Sequence, residues 1–497
     1  MRIIGNDPSV PRQTQEVASG TLTNGAPVVV NADGTVSVVS GNDTGAGTPV
    51  EVSSADYINE AQAVYDPDTG KVVIAYQRDP IGDTTYYGAA IVGTVSGTSI
   101  SFGSEVKFQA NNSSGLTGLG MCYDTSQDKI FISYADKTNS QYATGVVGTV
   151  SGTSISFGST TVVNSTSVSR TQCEFDSSNN KILLAYRLGN GFGSAEVITL
   201  SGSTISSGSA TSFNSGNILR PAMAFSTTAN KFVLIYKDAD QSSNGRYIVA
   251  TISGTSVSFG TEGAFNSVSS EKFSITYDAS IDKFLAVYRD LAASNNIKAR
   301  VGTLSGTTVS WGSIAVVTSG NATFPCVESK GDGTAIITFS DFSTTPVANP
   351  RFVVATISGT SVSFSSTVTV ASNVNSESGS ITSLNFTAYD TANDKFVYPY
   401  NDMPSGQAAN STLDAAVLQT ESTTLTSENY IGIARSGAAS GAGAVIDTQG
   451  AIADNLSGLT AGQSYYVQTD GTISTTAGDP SVFAGTAVSA TKLIVKG

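Results

Sequence analysis

One recurring stretch constrains the fold of this chain more than any other feature. At 249–260 it reads Val-Ala-Thr-Ile-Ser-Gly-Thr-Ser-Val-Ser-Phe-Gly, which is a β-prone run, a Ser-Gly turn and an alternation of polar and apolar residues. Near-copies stand about 50 residues apart, at 92–103, 147–158, 197–208, 301–312 and 354–365. Each copy predicts a β-hairpin, and the regular spacing predicts a repeat architecture.

A second pattern runs in phase with the hairpin. It consists of Asp, a short polar turn, Lys, an apolar run and Tyr, and it begins at Asp66, Asp124, Asp176, Asp278 and Asp390. Looser copies near 226 and 329 bring the number of units to seven. Pattern and hairpin together predict four antiparallel strands per unit, here lettered A to D along the chain. Such a unit is typical of a propeller blade, and a solenoid of stacked units is the structural alternative.

The seventh unit lacks the repeated Ser-Gly hairpin that joins strands C and D in the other units. Instead, the early segment 47–54, Gly-Thr-Pro-Val-Glu-Val-Ser-Ser, matches the outer-strand ends that follow Gly103 and Gly158. We expect this segment to supply the outer strand of the last blade, because closure removes two exposed sheet edges. The sequence therefore predicts an all-β protein with a seven-bladed β-propeller over 47–426, closed by an N-terminal strand.

The two ends of the chain carry related motifs. Leu-Thr-x-Gly followed by Asp-Gly-Thr-x-Ser occurs at 22–37 and again at 459–474. Asp-Gly between apolar runs is a strong hairpin signal. We predict an N-terminal arm and β-hairpin over 1–46 and a small β C-terminal module over 427–497. The two either lie together or each contact a partner.

Composition excludes several functions. The chain has 25 lysines and arginines against 39 aspartates and glutamates, for a net charge of −14, so no basic field for nucleic acid exists. It has no histidine, which removes Ser-His-Asp triads and histidine zinc sites. Cys122, Cys173 and Cys326 form no CxxC pair and are predicted to be buried thiols. We expect no cofactor, no export signal and no membrane insertion.

The Asp-x-x-x-Asp-Lys turns, such as Asp124 to Lys129, allow two interpretations. They can coordinate calcium, or each aspartate can cap its own turn. No glutamate follows at the spacing of a calcium loop, so we predict turn caps and no metal site.

Charged residues follow the strand-B tyrosine in most units, and propeller geometry places them on one rim. They form either a ligand-binding ring or a solvated rim of weak ion pairs. Tyr86 and Tyr247 in or near the variable B–C loops either stack on sugar rings or pack on their own blade. The candidate binding residues are Arg78, Asp79, Asp136, Lys137, Arg187, Lys237, Asp238, Arg289, Asp290, Asp402, Tyr86 and Tyr247.

A family resemblance is carried by the C-terminal residues. The stretch Gly-Leu-Thr-Ala-Gly-Gln-Ser-Tyr-Tyr-Val-Gln-Thr-Asp-Gly-Thr-Ile-Ser, together with 483–497, resembles the terminal module of tail-fibre and other virion proteins of tailed bacteriophages, especially marine and cyanobacterial ones. The Ser-Gly-Thr-Ser-Val-Ser-Phe-Gly repeats look like the propeller region of the same proteins. The resemblance implies a particle component, assembled in the host cytoplasm and released in virions, and no catalytic residue carries over.

From residues and resemblance together we expect a structural protein, not an enzyme, in a tail fibre or other host-facing appendage. Its end modules would contact other virion proteins, its loops a host surface polysaccharide, and a homo-oligomer is expected. One alternative is a head-decorating or tail-stabilising propeller without a receptor role. Another is a glycan depolymerase, since glycoside hydrolysis needs only two carboxylates.

Overall fold

The structure is a computed structural model that describes residues 12–42, 44–53, 56–80, 86–110, 113–343, 348–372, 387–402, 412–420, 422–478 and 480–496. These residues form strands, turns and loops and no helix. Chain contacts define two compact units. The ring unit is Gly45–Gln419, and the terminal unit combines Met1–Thr44 with Thr420–Gly497.

The ring unit contains seven antiparallel meanders, and each follows the order predicted from the repeat. The inner strands, A, are Asp56–Asp66, Leu116–Asp124, Thr161–Asp176, Ile218–Ser226, Gly263–Asp278, Ala322–Ser329 and Ala388–Asp390. Strands B are Lys71–Pro80, Lys129–Asp136, Lys181–Leu188, Lys231–Asp238, Lys283–Asp290, Thr334–Asp341 and Lys395–Asp402. Strands C are Tyr87–Ser96, Tyr142–Ser151, Gly193–Ser201, Asn244–Ser253, Asn296–Ser305, Asn349–Ser358 and Thr412–Gln419.

The outer strand, D, pairs with strand C in two short segments. The first segments are Ser99–Phe102, Ser154–Phe157, Thr204–Ser207, Ser256–Phe259, Thr308–Trp311 and Ser361–Phe364. The second segments are Val106–Lys107, Thr211–Asn214, Ala315–Val316 and Val368–Thr369. In blades 2 and 4 the second segment is continuous with the inner strand of the next blade, in Thr161–Asp176 and Gly263–Asp278.

The seven sheets close into a ring. Each inner strand contacts the inner strand of the next blade, and Ala388–Asp390 of the seventh contacts Asp56–Asp66 of the first. A separate apolar cluster fills each of the seven junctions. This is a β-propeller, and the all-β prediction is confirmed.

The last blade receives its outer strand from the start of the ring unit. Gly45–Ala46 and Val50–Ser53 pair antiparallel with Thr412–Gln419, with Ala46 opposite Leu418 and Val50 opposite Ala415. The predicted closing strand is therefore confirmed. Since the blade would otherwise end on strand C, this pairing covers an exposed edge.

The aromatic residue that ends the repeated hairpin packs at a blade junction. Phe102, Phe157, Phe259, Phe364 and Trp311 are each half-buried against a cluster shared with the preceding blade. The ring of Phe259 lies 5.5 Å from that of Phe213, centroid to centroid. The repeat thus encodes blade-to-blade packing as well as a hairpin.

Replacing Phe259 by alanine should lower the free energy of unfolding by about 2 kcal/mol, less than for a fully buried ring because part of Phe259 stays exposed. Urea unfolding of wild type and variant measures the loss. The matched control is Phe192→Ala in an exposed loop, where the side chain is 36% exposed and we expect little change. Equal stability of wild type and the Phe259 variant would contradict the junction role.

The glycine that ends the repeat makes a second contact between blades. A Cβ on Gly103 or Gly208 would overlap the carbonyl oxygen of Thr153 or Thr255, the residue after the turn glycine of the next blade. Gly47 makes the same approach to Thr98, from blade 7 to blade 1. The sixth copy ends in Ser365, and the blade that follows it has no hairpin of this kind. The glycine therefore occurs where the next blade presents this turn.

The terminal unit is built from both ends of the chain. Its first sheet has the order Gln13–Val17, Gly443–Asp447, Tyr430–Ala434, Pro27–Val30 and Val36–Val38. Its second sheet has the order Ile452–Ala453, Lys492–Val495, Val482–Ser489, Ser464–Val467 and Ile473–Ser474, and a further pair joins Gly41–Asn42 to Ser422–Thr423. The two terminal segments predicted separately thus share one sheet.

The related hairpins at the two ends form the same turn. Asp33 accepts hydrogen bonds from the backbone N–H and hydroxyl of Thr35, at 2.9 and 2.6 Å. Asp470 does the same with Thr472, at 2.9 and 2.7 Å. Gly34 and Gly471 both have φ of +82°, which the turn requires. The alignment read from the sequence therefore reflects a shared local structure.

Candidate functional site

The aspartates at the A–B turns cap backbone N–H groups. Asp124 accepts from Ser126 N at 2.8 Å, Asp278 from Ser280 N at 3.0 Å and Asp390 from Ala392 N at 3.1 Å. These bonds bear out the turn-cap interpretation. Among the described residues, no three Cys, Asp or Glu side chains lie close enough together to hold a metal ion.

The rim aspartates likewise cap backbone N–H groups, here in the B–C loops. Asp136, Asp238 and Asp290 each accept from the backbone N–H two residues on, at 3.0, 3.0 and 2.9 Å. Asp290 also holds Lys298 Nζ at 2.6 Å. These carboxylates fix the shape of the loops that carry them, and their predicted ligand role remains a prediction.

Arginines on the rim donate hydrogen bonds to the next blade. Arg187 Nε donates to the carbonyl of Ile218 at 2.9 Å, and Arg289 donates to Asn321 Oδ1 at 3.3 Å. Asn401 occupies the equivalent position in blade 7 and donates to the carbonyl of Ile58 in blade 1 at 2.7 Å. This strand-B position therefore stabilises blade junctions.

The remaining predicted binding residues differ in their surroundings and do not share one set of contacts. Arg78 donates to Tyr87 Oη at 2.7 Å and lies 3.5 Å from Glu105, whereas Asp79 has a side chain outside the described part of the structure. Lys137 is exposed, and Tyr86 and Lys237 are half-buried. Burial raises the pKa of Asp402. Tyr247 is a core residue, 5% exposed and packed edge-on against Trp311.

Blade 4 shows how a polar niche beside the rim is filled. Arg246 lies opposite Tyr236 in the sheet. Glu262 of strand D accepts from Arg246 Nε, from Tyr236 Oη and from Asn214 Nδ2, each at 2.7 Å. Every group therefore has a partner.

In blade 6, Arg351 stands where blade 4 has Arg246, but the tyrosine hydroxyl and the glutamate carboxylate of blade 4 are both missing. Arg351 lies opposite Phe339, so the phenol hydroxyl is missing, and Thr367 stands where blade 4 has Glu262. A cavity of about 310 Å³ results, lined also by Thr318, Ser319 and Ser343. Arg351 keeps one ion pair, to Asp341 at 2.7 Å, and its Nε has no hydrogen-bond partner among the described residues. We call this cavity the blade-6 niche.

A central channel of about 350 Å³ runs between the inner strands. Glu174 of blade 3 and Glu328 of blade 6 line it, and burial raises their pKa to about 7 and about 8, Glu328 being raised further by the charge of Glu174. Near neutral pH they are partly protonated and can donate as well as accept hydrogen bonds.

A charged cluster, here the channel mouth, lies where the inner strands begin. It consists of Glu60, Arg170, Arg220 and Lys272, each of which stands six residues before the end of its A strand. Arg170 lies 3.4 Å from Glu60. Blades 1 and 3 meet because blade 2 carries Gly118 at this position, where a Cβ would overlap the backbone of Arg170. Sequence reasoning missed this cluster. The signal was a basic residue six positions before the end of the A strand at Asp176, Ser226 and Asp278.

Comparisons with known proteins are limited to fold-level likeness. No family model matches the chain, and no curated protein matches it. Among solved structures, a mutant of Aleuria aurantia lectin in complex with alpha-methyl-L-fucoside is 14% identical, with a TM-score of 0.39, over 67% of this chain and 99% of that chain. The same lectin with Fucalpha1-6GlcNAc is 13% identical, with a TM-score of 0.39, over 65% and 98%.

No helix among the described residues has the length and apolarity needed to cross a membrane.

Proposed function

We propose that this protein is a non-enzymatic, glycan-binding propeller of a tailed-phage particle, located in a tail fibre or other host-facing appendage. The observation that carries the binding function is the blade-6 niche. It is a polar cavity left open by the loss of one hydroxyl and one carboxylate that fill the corresponding place in blade 4.

The chemistry of the niche suits a sugar. The free Nε–H of Arg351 is a donor, the carboxylate of Asp341 is an acceptor, and the hydroxyls of Thr318, Ser319 and Ser343 can do both. Neighbouring hydroxyls of a pyranose present donors and acceptors in the same mixture. A buried arginine atom without a partner costs free energy, and a bound hydroxyl would remove that cost.

The particle role rests on the resemblance of residues 458–474 and 483–497 to phage virion modules. Both ends of the chain build the terminal unit. We propose that the loops of the ring unit make the host contact. In this proposal the terminal unit contacts other virion proteins, and the chain acts as a homo-oligomer in the extracellular particle.

Binding to a glycan array tests the niche. Arg351→Gln should abolish binding of neutral glycans, and so should Thr367→Glu, which restores the carboxylate of blade 4 as a partner for Arg351. The matched control is Arg246→Gln, which removes a filled contact and should lower stability without changing binding. Glycan binding that survives both blade-6 changes would overturn the assignment of the site.

Two further measurements separate the alternatives. A decorating or tail-stabilising propeller would bind no glycan on the array, and a depolymerase would release reducing ends from host polysaccharide. Cryo-EM of the intact particle should reveal the propeller at a host-facing position. A position on the capsid surface would contradict the appendage role while leaving glycan binding to be judged by the array.

A further inference from the structure

The channel mouth concentrates positive charge in a chain of net charge −14. Arg170, Arg220 and Lys272 come from the inner strands of three consecutive blades, at the same bulge in each strand. All three have positive φ, at 58°, 49° and 56°. Non-glycine residues rarely adopt this conformation, and it persists where the surroundings impose it, often at functional sites.

The bulge in blade 3 directs Arg170 toward the ring axis. Arg170 of blade 3 reaches Glu60 of blade 1 at 3.4 Å, and side chains of non-adjacent blades can meet this way only over the centre of the ring. Arg220 belongs to the same group, because it holds the same bulge position on the inner strand that contacts the strand of Arg170. The charges of Arg170, Glu60 and Glu271 also act on its pKa.

The cations are not equally neutralised. Arg170 pairs with Glu60, and the ammonium of Lys272 lies 3.4 Å above the ring centre of Phe324. Glu271 on the next blade, whose charge acts on Arg220, pairs with Arg289 at 3.2 Å. The guanidinium of Arg220 makes no hydrogen bond or ion pair with any described residue. Burial, and then the charge of Arg170, lowers the pKa of Arg220 to about 10, and the charges of Glu60 and Glu271 offset part of that shift.

We propose that Arg220 is the centre of an oxyanion-binding site at the channel mouth, and that its ligand is the carboxylate of a uronic acid or the sulfate ester of an acidic polysaccharide. A planar guanidinium binds either group through two parallel N–H···O bonds. Arg170, Arg220 and Lys272 carry three positive charges against the one negative charge of Glu60, so the cluster as a whole attracts an anion. This inference rests on the proposed function for its polysaccharide, and it adds a substrate class: a host glycan that carries negative charge.

The site lies on the same face as the rim. Leu219, which precedes Arg220, pairs with Lys237 at the end of strand B, and Glu271, which precedes Lys272, pairs with Arg289. A chain of sugars lying across this face can therefore present a charged unit to the ring centre.

Calorimetric titration with four probes tests the proposal: an oligogalacturonide, a sulfated oligosaccharide, a neutral oligosaccharide and inorganic sulfate. Wild type should bind at least one acidic oligosaccharide, more weakly at high salt. Arg220→Gln should weaken that binding about 10-fold or more, equivalent to about 1.4 kcal/mol. Arg220→Lys should retain part of it, because the charge remains.

The controls separate this site from the blade-6 niche. Arg351→Gln should leave the Arg220-dependent affinity for the acidic probe unchanged while removing neutral-glycan binding. Thermal melts verify folding, and if Arg220→Gln does not fold, Lys272→Gln should weaken the same binding. Equal acidic-glycan affinity in wild type and the folded variants would overturn the site. Inorganic sulfate binding as tightly as the acidic oligosaccharides would overturn its assignment to a glycan. If wild type binds acidic but not neutral oligosaccharides, the result contradicts the proposed role of the blade-6 niche and leaves the Arg220 site intact.

Discussion

Replacing Gly208 by alanine is expected to lower the free energy of unfolding of the ring unit by about 3 kcal/mol. The new Cβ would overlap the carbonyl oxygen of Thr255, an atom of the backbone of the next blade. A side chain can rotate away from an intruding methyl group, but the backbone of a hairpin turn can move only with its blade. Urea unfolding followed by circular dichroism measures the loss.

Gly158→Ala is the matched control at the same repeat position. Its Cβ would lie 2.9 Å from Ser203 Cβ and 3.4 Å from the Ser203 carbonyl oxygen, so a small shift relieves the contact. We expect a loss of about 1 kcal/mol there. Equal losses at the two glycines would mean that overlap with the backbone of the next blade does not determine the cost, because the change in backbone entropy alone would favour alanine.

Raising the pH from 5 to 8 is expected to lower the free energy of unfolding of the ring unit by about 3 kcal/mol, because the two channel carboxylates lose their protons. Each unit of pKa shift corresponds to about 1.4 kcal/mol, and solvent in the channel screens part of that energy. Glu174 and Glu328 have pKa values of about 7 and about 8 when folded, against 4.5 ordinarily. Between these values the folded state holds protons that the unfolded state has released. The two carboxylates therefore make their full contribution to stability below the ordinary pKa of 4.5, and this contribution is lost as the pH rises through their pKa values in the folded state.

The double change Glu174→Gln and Glu328→Gln should flatten this pH dependence and raise the melting temperature at pH 8. Glu428→Gln, at an exposed site in the terminal unit, is the control and should leave the slope as it is. A wild-type melting temperature that rises between pH 5 and pH 8 would contradict the prediction.

The repeat allowed much of the fold to be predicted because its signals are local. Strand alternation, the Ser-Gly turn and the Asp that caps each A–B turn all lie within a few residues of the groups they organise. The closing strand was predictable for the same reason, since 47–54 copies the outer-strand ends of other blades.

The candidate sites depended on contacts that no local pattern reveals. The blade-6 niche exists because Phe339 lacks the hydroxyl, and Thr367 lacks the carboxylate, that Tyr236 and Glu262 supply in blade 4. The channel mouth depends on bulges, which displace Arg220 from the two-residue alternation of a regular strand. Rim charges such as Arg187 were visible in the sequence, but their partners on the next blade were not.

The closing strand also determines when the ring can form during synthesis. Val50–Ser53 is made early, but its partner Thr412–Gln419 follows about 360 residues later. At about 5–20 residues per second, the early strand waits roughly 20–70 s for its partner, while the blades between can already fold. An unpaired, β-prone strand on a nascent chain is open to pairing with a neighbouring chain. Expression at lower temperature, or with chaperones that hold the N-terminal segment, should therefore increase the yield of closed rings.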